Sequence, residues 1–508
     1  HFHNVLCLSE AKGMDINMLV PSLEEVKQIA EQGIYKKIPV RAEMYADMVT
    51  PMQVVRILKN ITKHIFLLES AEETKRWGRY TFIGYDPALE VTCQNGHLCI
   101  KSGTEYTEET QEPQKVLRRI LAENKAPKLA GIPPFAGGLV GYFSYDYIKY
   151  SEPSLKLDAE DEESFKDMDL MLFNRVIAFD NYRQKIFLIE NLPAAEAETA
   201  YRKADMELEN LKKLLGSGEY APIQPLELKK EFQPLFGKEE YCRMVEKAKH
   251  YIHEGDIFQV VLSNRLEAEM SGSLLDAYRI LRTANPSPYM FYFASDDLEI
   301  AGASPETLVK LEDGVLHTFP LAGTRPRGQT EEEDRRLEEE LLADEKERAE
   351  HNMLVDLGRN DVGRISKIGS VEVEKYMCIE RYSHVMHIGS VVRGEIREDR
   401  DAIDAVDSIL PAGTLSGAPK LRACEIINEL EDNKRGIYGG AIGYLDFTGN
   451  LDTCIAIRIA YAKNGKVFVR SGAGIVADSV PEKEYQECIN KAKAVVNALK
   501  DAKGGIDG

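Results

Sequence analysis

Strand-like and helix-like segments alternate along this chain with no regular βαβ unit and no GxGxxG turn. That pattern points away from a dinucleotide-binding fold and toward a layered α+β architecture. MVTPMQVVRILKN has the apolar spacing of a helix, IFLLES and RYTFIGY read as strands, and FAGGLVGYFSYDY reads as a glycine-punctuated pair of strands. AEAETAYRKADMELENLKKLLG reads as a charged helix running into a Gly, Ser and Pro-bearing stretch, which marks a boundary near residues 215 to 237. Past the boundary, KEEYCRMVEKAKHYIHEGD reads as a helix and IFQVVLSNRLEAEM as a strand. Residues 14–230 then form an N-terminal part and residues 231–500 a larger second part. The charged run EEEDRRLEEELLADEKERAEH is expected to be one helix with a solvated face.

Two acidic pairs share one design: Glu347 and Glu350 in ADEKERAEHNMLVDLGRND, and Glu484 and Glu487 in PEKEYQECINKA. Positions i and i+3 of a helix share a face, so each pair aims its carboxylates at one point. If the pairs converge, the cluster of like charge calls for a cation, and a hard ion such as Mg2+ keeps open positions for a carboxylate-bearing substrate. In isolation, either pair is an ordinary solvated helix face. Lys491 lies four residues beyond Glu487 and belongs on the same face.

The bulk properties narrow the function classes. At 508 residues the chain can bury one large core or two to three ordinary ones. A formal charge of -20 argues against an extended nucleic-acid surface, which needs clustered Lys and Arg. No apolar run approaches a membrane span and no secretory signal is recognisable, so residence in the cytoplasm is the default expectation. The 8 cysteines show no CxxC spacing, which speaks against a zinc or redox site and for free thiols. The opening residues are given no weight, and Met14 is the expected start.

Glycine clusters gather in the last hundred or so residues, in PAGTLSGAPK, RGIYGGAIGY and VRSGAGIVAD. Glycine lets backbone approach a ligand closely and lets successive N–H groups face one anion. With Lys420, Arg458, Arg470 and Lys491 these clusters describe a site for a small anionic molecule.

Read in order, LLES, GRYTFIG, GASPE, PLAGTRPRG, EHNMLVDLGRND, HVMHIGS, AGTLSGAPK, IYGGAIGY and EYQECINKA span almost the whole chain. They resemble the anthranilate synthase component I group of chorismate-utilising enzymes. The resemblance implies an α+β fold of two large packed β-sheets with outer helices, binding one chorismate and one Mg2+. Glu350 and Glu487 resemble the direct metal ligands, with Glu347 and Glu484 acting beside them through water. Tyr438, Arg458 and the Gly472, Ala473, Gly474 backbone resemble the clamp for the enolpyruvyl carboxylate, with Thr414 and Lys491 as further polar contacts. Glu306 resembles the general acid for the departing C4 hydroxyl, a role that needs a carboxylic acid kept partly protonated. His387 resembles the histidine needed for the later elimination of pyruvate, although a lone histidine is more often structural.

Two positions separate the relatives. Family members that add water carry a lysine where this chain has Gln259, and ammonia needs no such base, so Gln259 favours amination. The aminodeoxychorismate branch carries a lysine in PIKGT where this chain has Ala322, which cannot attack the ring. Both differences imply attack of ammonia at C2 followed by loss of pyruvate. No cysteine sits in a glutaminase nucleophile setting, so a separate glutamine amidotransferase subunit is expected to supply the ammonia. The alternatives are an enzyme that stops at aminodeoxyisochorismate, one that makes 4-amino-4-deoxychorismate, or a non-catalytic regulatory subunit.

The resemblance also implies a tryptophan feedback site, carried by LLES in the N-terminal part together with NPSPYMFY. Glu69 and Ser70 would meet the amino acid's polar groups, Pro286, Pro288, Tyr289, Met290 and Phe291 would build the indole wall, and Asn285 of the same segment would also bind the inhibitor. By spacing alone such an apolar stripe is core packing. The second part, in the same reading, is the chorismate-binding catalytic domain.

Overall fold

The structure, a computed structural model, describes residues 19–71, 77–382 and 385–506; Cys7 and Met14 lie outside them. The strands of these residues form a 13-stranded and a 12-stranded sheet. Every strand pair is antiparallel, so each sheet can bury both faces only if another layer covers each of them.

The side-chain alternation shows how that happens. In Ile65–Glu69 and Tyr289–Ala294, Phe66, Phe291 and Phe293 enter an aromatic layer that also holds Tyr142, Met171 and Phe173 of the second sheet. The residues between them, Ile65, Leu67, Met290 and Tyr292, turn the other way into a core closed by helices. Leu23–Glu31, Pro51–Leu58, Ala197–Gly216, Leu275–Ala284 and Pro481–Asp501 supply that cover through Val26, Val55, Leu208, Leu281 and Val495. The second sheet is covered likewise by Pro113–Glu123, Glu345–Gly363 and Ala402–Ile409. Period-two strands with both faces apolar therefore require the layered arrangement, each buried Phe contributing about 1.5–3 kcal/mol. The expected fold of two packed sheets with outer helices is what forms.

The expected boundary falls in the stretch after Ala197–Gly216, where the only strands are Glu227–Leu228 and Gln233–Pro234. Both sheets nonetheless run across it. Ile65–Glu69 pairs with Tyr289–Ala294, and Gly138–Phe143 pairs with Ala441–Asp446.

Two local readings are corrected. FAGGLVGYFSYDY makes one strand, Gly138–Phe143, followed by a 3-10 turn at Tyr145–Tyr147. Its glycines serve close packing between strands: a Cβ on Gly141 would stand 2.0 Å from the Asp169 carbonyl oxygen. The charged run is two helices, Glu331–Ala343 and Glu345–Gly363. Asp344 stops the first and caps the second, its carboxylate accepting from the Lys346 and Glu347 N–H groups. The remaining helix and strand readings match the structure. Among the described residues no helix is long and apolar enough to cross a membrane, and the described cysteines are free thiols.

Candidate functional site

Glu306 occupies the short link between the strands Glu299–Ser304 and Thr307–Glu312, and it is buried. Thr414, in the turn after Ala412, donates to its Oε1 at 3.3 Å. Burial pushes the carboxyl up to about 8, against smaller opposing effects from Thr414, the Leu321 N–H and Arg458. Glu306 is therefore a neutral acid at pH 7, holding a proton it can give up. Arg458 faces it from a backbone in the left-handed region, φ +53°, a conformation costly for a side chain of this size. Burial lowers the pKa of its guanidinium, while Tyr382 and Glu306 oppose this. Among the described residues its side chain makes no hydrogen bond and no ion pair, so it is a cation poised for an anion.

His387 lies on Val385–Glu395, opposite an irregularity in Leu321–Pro326 where the register slips between Ala322 and Arg325. Gly323 makes that slip with φ +68°, and its carbonyl stands 2.8 Å from His387 Nδ1. A carbonyl only accepts, so Nδ1 carries the hydrogen and Nε2 keeps its lone pair. Burial lowers the imidazole to about 4, aided by Arg458 and Lys491, while the Gly323 bond opposes it. His387 is a neutral base at pH 7. Space beside Gly323 is also limited by the acidic helix: a Cβ there would lie 3.1 Å from Glu347 Oε2.

Both acidic pairs fall on helices, Glu347 and Glu350 on Glu345–Gly363 and Glu484 and Glu487 on Pro481–Asp501. Burial raises Glu347, with Glu350 next; burial also raises Glu484, against a Ser479 hydrogen bond and with a smaller push from Glu487, while Lys346 of the first helix lowers it. The Gln259 amide donates to Glu350 Oε1 at 3.3 Å. A Cβ on Gly474 would stand 2.7 Å from Gln259 Nε2, so only glycine leaves room for that contact. Lys491 binds Glu487 at 2.7 Å, as the shared face requires, and donates to the Gly472 carbonyl at 3.1 Å. The Tyr438 hydroxyl closes on the same glycine, 3.0 Å from where its Cβ would be.

Among the described residues, no three His, Cys, Asp or Glu side chains are gathered around one point as an ion would gather them. The chemistry of the donor set still fits a hard divalent cation: each of the two helices offers a pair of carboxylates that repel each other, and Glu350 Oε1 lies 3.9 Å from where a Cβ on Gly474 would be.

Two expected anion-binding cations are committed elsewhere. Lys420 pairs with Asp361 at 2.7 Å and with the Ile409 carbonyl at 2.9 Å. Arg470 is fully buried and binds Glu431 at 2.9 Å, together with Ser263 and Asn433. Burial would raise Glu431, but Arg435 and Arg470 hold it below the usual range. Each cation already neutralises a buried carboxylate, so neither is available to a ligand.

A cavity of about 650 Å³ lies where the two sheets meet, with Glu69, Ser70, Pro286, Pro288, Tyr289, Met290 and Phe291 in its wall. Asn285 is not in the wall; it ends the Leu275–Ala284 helix, its N–H bonded to the Leu281 carbonyl. The Glu69 carboxylate is held by Tyr278 at 2.6 Å and Arg282 at 2.8 Å. Tyr289 donates to Asp452 at 2.8 Å across the cavity wall. Leu321, Tyr382 and Gly389 to Val391 also line the cavity; the Leu321 N–H bonds the Glu306 carboxyl, and the Tyr382 ring centroid stands 5.6 Å from that of His387.

Sequence reasoning missed Gly323, Leu321 and Thr324, whose Oγ1 stands 3.1 Å from His387 Nδ1, as supports of the two titratable groups. The PLAGTRPRG motif contains all three, and a Gly inside a strand was the available signal.

The chorismate binding enzyme family model matches residues 63–497. Over 494 residues the chain is 48% identical to anthranilate synthase component 1 of Acetivibrio thermocellus, covering 96% of this chain and 99% of that one. Over 496 residues it is 44% identical to the Pseudomonas aeruginosa protein of the same name, covering 95% and 99%. The crystal structure of anthranilate synthase component I from Streptococcus pneumoniae superposes with a TM-score of 0.74 at 38% identity, covering 89% of this chain and 99% of that one. The menaquinone-specific isochorismate synthase of Escherichia coli, at 20% identity and a TM-score of 0.68 over 94% and 98% of the two chains, shares the fold.

Proposed function

The chain belongs to the chorismate-binding enzymes, as an enzyme of the anthranilate synthase component 1 type, and from that premise we propose how its residues divide the work. The reaction joins chorismate and ammonia and yields anthranilate and pyruvate, which opens the route to tryptophan. Arg458, with Tyr438 and the Gly472–Gly474 backbone, holds the enolpyruvyl carboxylate. Glu306 gives its proton to the C4 hydroxyl as the C4–O bond breaks and ammonia bonds to C2, with water leaving. Gln259 presents a carboxamide where a water-adding enzyme would need a base. Next, His387 Nε2 takes the proton from C2 while the C3–O bond breaks with its electrons going to oxygen; the enolpyruvate so released takes a proton on its methylene carbon to become pyruvate, leaving the aromatic ring. Glu350 and Glu487 would hold Mg2+ directly, and Glu347 and Glu484 through water. When bound, the ion supplies positive charge to the ring carboxylate.

The observation that carries this reading is geometric: the Glu306 carboxyl is buried with the Thr414 hydroxyl on its Oε1, and His387 Nδ1 is tied to the Gly323 carbonyl so that Nε2 keeps its lone pair. A carboxyl raised to about 8 and an imidazole lowered to about 4 are an acid that keeps its proton and a base that lacks one. A separate glutaminase subunit supplies ammonia, tryptophan occupies the 650 Å³ cavity as inhibitor, and the enzyme works in the cytoplasm.

The test is incubation with chorismate, Mg2+ and an ammonium salt at alkaline pH, followed by chromatographic identification of the product. Fluorescent anthranilate with one equivalent of pyruvate is expected. An aminated product that retains the enolpyruvyl group would assign the protein to another branch, and unchanged chorismate would refute catalysis.

A further inference from the structure

One buried polar contact joins the cavity to the acidic helix. His351 follows Glu350 and is fully buried, and its Nε2 lies 2.6 Å from Ser390 Oγ. Its Nδ1 has no partner among the described residues, so the Ser390 contact alone fixes the ring by hydrogen bonding. Ser390 is three residues beyond His387 on the same strand and lies in the cavity wall between Gly389 and Val391.

The same hydroxyl oxygen accepts the Met377 N–H at 3.0 Å. Met377 has φ +51°, and around it the Glu372–Arg381 strand slips register, Lys375 facing Val391 and Cys378 facing Gly389. Lys375, Glu380 and Arg381 of that strand also line the cavity. The Ser390 N–H in turn donates to the Pro320 carbonyl at 3.1 Å, one residue before Leu321, whose N–H bonds the Glu306 carboxyl. An irregular strand, the His387 strand and the acidic helix thus meet on one oxygen. A ligand that moves the Gly389 to Val391 wall moves the anchor of His351.

We propose that the His351–Ser390 hydrogen bond makes His351 a positioning residue for Glu350 and transmits occupancy of the cavity to the Glu347–Glu350 face. The inference rests on the reading that tryptophan fills the cavity and that chorismate binds beside those carboxylates. Occupancy sets where the wall holds Ser390, Ser390 sets His351, and the helix turn bearing Glu350 follows. Coupling of this kind is reciprocal: tryptophan weakens chorismate binding by the factor by which chorismate weakens tryptophan binding.

The test is calorimetric titration of tryptophan into the full chain with and without saturating chorismate and Mg2+, in the absence of ammonia so that no amination occurs. In the parent, chorismate should weaken tryptophan binding by about tenfold or more. His351→Leu removes the bond, and His351→Asn is too short to reach Ser390 from the Nε2 position. Either should bind tryptophan alone within about threefold of the parent while the coupling factor falls to about threefold or less. His351→Gln, whose Nε2 occupies the place of the imidazole Nε2, should restore most of the coupling. Thermal melts identify variants that fold, and one of the Leu and Asn pair suffices. Undiminished coupling in a folded Leu or Asn variant overturns the proposal, as does failure of Gln to restore it. A parent that binds chorismate but no tryptophan overturns the cavity reading and this inference with it, which is a different result from tryptophan binding that is uncoupled only by mutation.

Discussion

At the residue scale, the same physical cause, burial, leaves one side chain protonated and another deprotonated at neutral pH. For Glu306 the folded carboxyl sits near 8 against an ordinary 4.5, so the folded protein holds a proton that the unfolded chain releases between those values. Folding stability from this group is fully present below 4.5 and is lost as pH rises through 8. Glu306→Gln has no proton to lose. The variant should be inactive in amination yet more stable than the parent, by a margin that is small at pH 5 and grows to at most about 5 kcal/mol near pH 8. Urea unfolding at the two pH values checks this, and a constant or reversed margin contradicts it. In the parent, kcat/KM for chorismate at fixed free ammonia should fall about tenfold per pH unit once pH exceeds about 8. His387→Ala should spare amination and slow elimination by about a hundredfold or more, so that the aminated, pyruvate-bearing intermediate accumulates. Anthranilate forming at the parental rate would make this histidine structural. The sequence named both residues because their motifs are local. It could not give the environment, since the Leu321 N–H and the Gly323 carbonyl that support them arrive from a strand whose register only the folded sheet defines.

At the element scale, helical spacing was legible and continuity was not. An i, i+3 pair says which face two carboxylates share, and both pairs do share one. Whether a charged run is one helix or two depends on Asp344, whose side chain competes for the next helix's N–H groups and so breaks the run just before the first pair. That break places Glu347 in the first turn of a new helix, where negative charge is favoured. Lys420 and Arg470 were misread for a related reason. Residue type shows a cation, but its partner, Asp361 or Glu431, comes from a distant element. The helix faces carry the metal prediction. Glu350→Gln or Glu487→Gln replaces a carboxylate with a poor Mg2+ ligand and also removes like charge from its pair, so each should lose most activity while keeping the fold. Without metal, either variant should melt at or above the parental temperature. Calorimetric Mg2+ titration should show at least about tenfold weaker binding, and parental affinity in both variants would remove the carboxylates from the metal site.

At the scale of the whole molecule, each sheet takes strands from both sides of the composition shift near residue 230, and the large cavity is walled from both sides as well. Ser70 and Phe82 face Tyr289, Tyr444 and Asp452 around it. A ligand in this space touches strands of both sheets, which a sequence segmented by composition does not reveal. Binding there stabilises the shared layers as one body, because any opening that separates them releases the ligand. Tryptophan should therefore raise the melting temperature of the entire chain in a single transition, without splitting the melt into two. At a concentration about a hundredfold above its dissociation constant the gain is about 2.7 kcal/mol. Ser70→Arg puts a long charged side chain at the cavity wall while leaving the Glu69 contacts to Tyr278 and Arg282 in place. It should weaken tryptophan binding by about five- to a hundredfold, equivalent to about 1–3 kcal/mol. Turnover of chorismate should change little, since Ser70 lies in the cavity wall beside Glu69 and is not among the residues assigned to the chemistry. The melting shift and the inhibition curve must then move together. If tryptophan inhibits the parent without stabilising it, or the variant keeps both responses, the inhibitor binds elsewhere and the cavity is only the seam between two sheets.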